Sequence, residues 1–146
     1  ISEFRGVEHR IEYVASVRGV TFFNDSKATN VDSAIKAVAS FDHNIILILG
    51  GRDKGAPYEP LIEAMKGKVK HVLLIGEASA KIAAAMDNRF PVTQVSSLGD
   101  AVREGATIGG PGDVVLLSPA CASFDMFDNY EHRGRVFKKA VQELPQ

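Results

Sequence analysis

Hydrophobic positions along this chain fall into two alternating rhythms. Short runs of branched residues are followed by stretches in which apolar side chains recur every three or four positions. Residues 11–17 and 20–23 read as two strands joined by a turn at Gly19, an antiparallel hairpin at the amino end. Asn24 to Asn30, reading NDSKATN, is dense in turn and capping residues, and Val31, Ala34, Ile35 and Val38 then fall at helical spacing over 31–41. The pattern recurs. Residues 44–49 form an apolar strand of the kind covered on both faces, 50–55 a glycine-bracketed loop, and 60–65 a short helix with Pro60 in its first turn. A strand at 69–75 ends at Gly76 and precedes an alanine-rich helix at 78–86. A shorter strand at 91–95 precedes a helix at 98–108 that Ser97 opens, with Asp100 three residues on. The sequence Gly109-Gly110-Pro111-Gly112 stops that helix, a last strand follows at 113–117, and residues 131–144 form a terminal helix. The first eight residues carry no strong signal.

This alternation predicts an α/β fold: a Rossmann-like, mostly parallel sheet with helices on both faces and right-handed crossovers, plus the antiparallel hairpin. Loops 24–30, 50–55 and 118–130 then leave the carboxyl ends of strands and share one edge of the sheet, where open α/β sheets bind ligands. That edge gathers Asp25, Lys27, Thr29, Lys54, Ser123 and Tyr130. The small residues from Ser118 to Ser123 let a ligand or another backbone come close. Phe124, Phe127 and Tyr130 follow at spacings of three, placing them on one side of a helical turn, where they either pack in the core or face a ligand.

Composition narrows the classes of function. The 146 residues suit one domain, and no linker, repeat or low-complexity tract divides them. Seventeen Lys and Arg balance 18 Asp and Glu, leaving no basic footprint for nucleic acid. No apolar run approaches a membrane span, and the first residues lack a signal-peptide pattern, so a cytoplasmic protein is expected. The single cysteine, Cys121, excludes an internal disulfide.

On the shared rim, Lys27 and Lys54 are either solvated surface charges or cations for phosphate or carboxylate. Thr29 and Ser123 are neutral donors. Asp25 and Asn30 are each placed to cap the next helix, and Asp25 alternatively to meet a ribose hydroxyl, an arginine or a metal. The glycines of 50–55 make neither a dinucleotide fingerprint nor a P-loop. His9, His43, His71 and His132 lack zinc-ligand spacing, so no metal is expected on them.

Four separated stretches carry a family resemblance: His9-Arg10-Ile11-Glu12, the block 24–30, Gly50-Gly51-Arg52-Asp53-Lys54-Gly55, and 117–125 through Asn129-Tyr130-Glu131-His132-Arg133-Gly134. Together they resemble the carboxyl-terminal domain of the Mur ligases, in the branch that adds D-glutamate to UDP-N-acetylmuramoyl-L-alanine during peptidoglycan synthesis. The resemblance spans essentially residues 1–146. It implies an ATP-dependent amide ligase in which an acyl phosphate is attacked by the amine of D-glutamate, and it implies two further domains. These are an amino-terminal domain for the UDP-sugar and a central ATPase domain that mainly holds magnesium. The chain is therefore expected to be an excised part of a larger enzyme, inactive by itself.

By resemblance, Arg10 and Asp25 lie on the nucleotide side and Lys27 is a catalytic cation near the reacting phosphoryl group. Thr29, Lys54, Ser123, Phe124 and Tyr130 form the D-glutamate pocket. The alternative is a free-standing Rossmann-like module that binds a nucleotide or metabolite without catalysis.

Overall fold

The computed structural model describes residues 8–123 and 125–145. Phe124 lies outside the described residues, as do 1–7 and 146. The elements run β1 (Glu12–Val17), β2 (Val20–Asn24), α1 (Val31–Ala39), β3 (Ile45–Gly50), α2 (Glu59–Met65), β4 (Val69–Ile75), α3 (Ser79–Met86), β5 (Val92–Gln94), α4 (Leu98–Ile108), β6 (Val114–Leu117) and α5 (Tyr130–Gln142). Every expected strand and helix is present, with ends unchanged or moved by one or two residues. The 125–129 segment forms turns and bends where a helical turn was expected, and the last helix starts at Tyr130, one residue before its expected start. Asn129 explains the start, because its side-chain oxygen accepts from His132 N at 2.8 Å and caps α5. Phe127 consequently packs against the core while Tyr130 stays at the sheet edge, so the two do not form one helical stripe.

The six strands lie in the order β1-β2-β6-β3-β4-β5, with only β1 antiparallel to its neighbour. Both faces are covered. Ile45, Leu47, Leu49, Val72 and Leu74 point into one core with α1, α2 and α3, while Ile46, Ile48, Leu73 and Ile75 point into the other with α4 and α5. The unbroken apolar runs of β3 and β4 are the signature of this double burial. No helix among the described residues is long and apolar enough to cross a membrane.

Insertion of β6 between β2 and β3 decides where the site lies. The three strands are parallel, so the loops after them leave side by side, with the β6 loop in the middle. Main-chain bonds then lace the loops together. Asp25 N donates to Leu117 O at 2.7 Å, Ala120 N to Ala28 O at 2.9 Å, Gly50 N to Pro119 O at 3.0 Å, and Arg52 N to Ala122 O at 2.8 Å.

Gly51 permits the approach to Ala122. Its φ is +138°, and a Cβ there would sit 2.3 Å from Ala122 O. Gly51→Ala is thus expected to destabilise the fold by about 3 kcal/mol, combining an unfavourable backbone region with a clash against main chain that cannot swing away. Urea unfolding of the variant against the parent measures this; a change below about 0.5 kcal/mol would mean the two loops can separate freely.

Candidate functional site

Loop 24–30 is shaped by its own buried polar side chains. Asn24 donates from Nδ2 to Glu12 Oε1 at 3.0 Å, and its Oδ1 accepts from Ser26 N at 3.1 Å, which fixes the amide's orientation. The remaining Nδ2 proton points to His9 Nδ1 at 2.8 Å, so that nitrogen accepts and the ring is neutral with its proton on Nε2. Burial holds the His9 pKa below its ordinary value and supports the neutral ring. Lys27 N donates to His9 O at 2.9 Å, which anchors the amino-end segment to the loop.

Arg133 joins this loop to the one after β6. It is 1% exposed and makes three charge-assisted bonds: Nε to Ser26 Oγ at 2.9 Å, Nη2 to Ser26 O at 2.8 Å and Nη1 to Cys121 O at 3.0 Å. Ser26 Oγ in turn donates to Tyr130 O at 2.7 Å. No carboxylate lies within salt-bridge distance of this guanidinium among the described residues, and burial lowers its pKa to about 10, which keeps it charged at neutral pH. The periodicity of α5 gave no hint of this role, since an arginine in a helix ordinarily reads as surface. Gly134 beside it leaves room for His9: a Cβ there would stand 2.1 Å from His9 Nδ1.

Two clefts open on the laced edge. One, of about 370 Å³, is lined by Thr29, Lys54, Ala122, Ser123, Asn129, Tyr130 and Glu131. The structure therefore brings together Thr29, Lys54, Ser123 and Tyr130, one or two from each loop or from the start of α5. Asn129 and Glu131 were not singled out by the sequence, because capping and first-turn acidity account for them locally. The other cleft, of about 400 Å³, is lined by Arg10, Ile11, Asp25, Lys27, Ala28, Asn30, Ser33, Lys36 and Ala37. It places three cations around one buried carboxylate. Lys27 stands between the clefts, its Nζ 3.5 Å from Tyr130 Oη and 5.5 Å from the centre of that ring.

Asp25 does not cap α1. Asn30 does, accepting from Ser33 N at 2.9 Å. Asp25 instead accepts from Ile11 N at 3.0 Å and Ser118 Oγ at 2.7 Å, tying the ends of β2 and β6 to the segment that carries Arg10. Cys121 is fully buried with its pKa pushed up by burial, so it is not a reactive thiolate. Glu8, His9 and Glu12 bring ligand atoms within 4.8 Å of one another, a grouping that histidine spacing alone did not reveal. The Lys138 ammonium already serves both carboxylates there, at 2.7 Å and 3.2 Å.

With this geometry in hand, comparison with known proteins is direct. The profile of the "Mur ligase, glutamate ligase domain" family matches residues 9–121. The chain belongs to the Mur ligase family. Over 144 residues it is 51% identical to the UDP-N-acetylmuramoylalanine--D-glutamate ligase of Koribacter versatilis, covering 99% of this chain and 32% of that protein. The enzyme of the same name from Acidobacterium capsulatum is 52% identical over 141 residues, covering 97% and 31%. The chain thus spans about a third of the length of these relatives. Among solved structures, the UDP-N-acetylmuramate-alanine ligase MurC of Thermotoga maritima superimposes with a TM-score of 0.65 at 15% identity, over 96% of this chain and 31% of that one. The MurF ligase of the same organism, in complex with ADP, gives 0.57 at 17% identity, over 96% and 33%. These likenesses show a shared fold where most side chains differ.

Two expectations follow from the buried groups. Arg133→Met leaves two main-chain carbonyls and a hydroxyl without a donor, and should cost about 3 kcal/mol in chemical denaturation; a loss under about 1 kcal/mol would show that water replaces the guanidinium. Burial raises the Asp25 pKa to about 6, above its unfolded value of 3.8. The folded state therefore holds this proton more tightly. The stabilisation is complete below about pH 4 and is lost as the pH rises through about 6, on the order of 2 kcal/mol. Asp25→Asn should abolish that slope, and an unchanged stability profile between pH 4 and 6 would remove Asp25 as its source.

Proposed function

We propose that this chain is the carboxyl-terminal, D-glutamate-binding domain of a cytoplasmic ATP-dependent ligase that joins D-glutamate to UDP-N-acetylmuramoyl-L-alanine in peptidoglycan synthesis. The observation that carries the reading is the cleft in which three loops assemble Lys54, Thr29, Ser123 and Tyr130, with Lys27 on the wall toward a second, cationic cleft. The names of the half-identical relatives supply the amino acid and the acceptor. Central and amino-terminal domains account, in this reading, for the remaining two thirds of the relatives' length.

D-glutamate carries two carboxylates and an amine. Lys54 and the hydroxyls of Thr29 and Ser123 offer charge-assisted bonds to the carboxylates, each worth about 1.5–3 kcal/mol. Phe124 joins this pocket in the proposal through the family resemblance alone. Arg10 and Asp25 face the nucleotide, and Lys36 adds a third cation to that cleft beside Lys27. ATP transfers its terminal phosphoryl group to the UDP-sugar-alanine carboxylate, releasing ADP. The D-glutamate amine then forms the C–N bond, the C–O bond to phosphate breaks, and the amine releases a proton.

Lys27 lies where it can offset negative charge on the phosphoryl group as both steps proceed. Holding the amine against the activated carbonyl makes the second step effectively intramolecular. Magnesium belongs to the proposed central domain. Within this chain the Asp25 oxygens accept from Ile11 N and Ser118 Oγ, bonds that hold the carboxylate in place at the edge of the nucleotide cleft.

Joined to the other two domains, the chain should support D-glutamate-dependent ligation, whereas alone it should hydrolyse ATP no faster than buffer. In the joined enzyme Lys54→Ala should lower kcat/KM for D-glutamate about 30-fold to 1,000-fold, with the KM for ATP and the melting temperature nearly unchanged because Lys54 is exposed. Unchanged D-glutamate kinetics would refute the pocket. Ligand binding with no ligation in the joined enzyme would favour a stand-alone binding module instead.

A further inference from the structure

Lys54 stands on a loop that belongs to neither β3 nor α2, and residues 52–57 of that loop are largely exposed. A lysine on such a loop samples many positions unless something fixes its backbone. We propose that Asp53 is a positioning residue that fixes Lys54 in its cleft through a clasp formed with Gly55, Tyr58 and Lys81. The assignment rests on the D-glutamate reading of that cleft.

The Asp53 carboxylate has three donors. Gly55 N donates to its Oδ1 at 3.1 Å, Tyr58 Oη donates to the same oxygen at 2.9 Å, and Lys81 Nζ donates to Oδ2 at 2.8 Å. The first of these closes a three-residue Asx-type turn whose middle residue is Lys54, so the two peptide units flanking Lys54 are set by one side chain. Gly55, with φ +83°, supplies the left-handed backbone this closure uses.

The other two bonds tie the turn to fixed points. Lys81 lies on α3, and its ammonium also sits 5.8 Å from the centre of the Tyr58 ring. Tyr58 is only 5% exposed, and its hydroxyl contacts the buried Cys121 Sγ at 3.4 Å. Cys121 is two residues before Ser123, on the same loop as that cleft-lining residue. On the other side of Asp53, Arg52 N is bonded to Ala122 O, so the turn is held at both ends against the loop that carries Ser123. The lowered Asp53 pKa, caused first by the Lys81 bond and then by Gly55 and Tyr58, agrees with a carboxylate held in its charged form.

An ordinary exposed ion pair between Asp53 and Lys81 would contribute little and would be indifferent to the cleft. The clasp differs because the same carboxylate bonds the backbone one residue beyond Lys54 and a hydroxyl that contacts Cys121 on the loop carrying Ser123. It predicts an effect on D-glutamate capture that is transmitted only through Lys54.

The test uses the full-length ligase containing this domain, with steady-state kinetics for D-glutamate and ATP and a melting temperature for each variant. Asp53→Ala should raise the KM for D-glutamate about tenfold while kcat and the KM for ATP stay within about twofold. Asp53→Asn should raise it only about threefold, since the amide oxygen still accepts from Gly55 and Tyr58, and Lys81→Met should resemble Asp53→Asn. In a Lys54→Ala background, Asp53→Ala should add less than about twofold, as expected when one residue acts through another. An unchanged D-glutamate KM in Asp53→Ala, or a penalty that persists in full without Lys54, would overturn the clasp while leaving Lys54 in place. If Lys54→Ala itself leaves D-glutamate kinetics untouched, the cleft reading fails, and the clasp with it.

Discussion

A buried guanidinium organises this domain's working edge. Arg133 reaches from the first turn of α5 to a hydroxyl and a carbonyl of loop 24–30 and to a carbonyl of the loop after β6. Desolvating such a charge is costly, and the cost is offset only while all three acceptors stay in place. The arrangement is therefore all or none: loops that could otherwise drift are held to the positions in which the guanidinium is satisfied. Arginine suits this task better than lysine because its planar fork serves two loops at once.

From that fixed edge the chemistry divides by charge. One cleft offers hydroxyls, one lysine and one carboxylate; the other offers Arg10, Lys27 and Lys36 around Asp25. Lys27 touches Tyr130 from the side of the second cleft, so a single ammonium lies within reach of both. In the ligation proposed above, where an amine meets a group just activated by phosphoryl transfer, a cation between the two clefts would serve both steps. Both clefts lie on the sheet edge where the three loops meet.

The buried polar residues at this edge share a further property. Asn24, Asp25, Ser26, Ser118 and Arg133 are all nearly inaccessible, yet each is hydrogen-bonded to another loop or to its own. Groups of this kind add little net stability compared with apolar packing, and they define one geometry because every alternative leaves a polar atom unpaired. Stability is supplied elsewhere, by the two apolar layers on either side of β3 and β4.

Much of the fold could be read from the sequence because strands and helices are written in local periodicity. The doubly buried strands, the amino-end hairpin, the Ser97 cap and the sharing of one edge by three loops all follow from residues near one another in the chain. The four matching stretches likewise pointed to the Mur ligase family, since motif residues keep their order and spacing whatever the packing. What only the tertiary structure decided involves partners distant in sequence. Insertion of β6 between β2 and β3 places the third loop between the other two, and no local pattern encodes strand order. Asp25 proved to be a tie to Ile11 and Ser118, with the capping left to Asn30, because the choice depends on which strand end lies beside it. Arg133 finds Ser26, 107 residues away in the chain, only in the closed fold, and Asp53 finds Lys81 only where α3 brings it. Side-chain periodicity reports which face of an element is buried, whereas a hydrogen bond between loops exists only once the whole chain has closed around it.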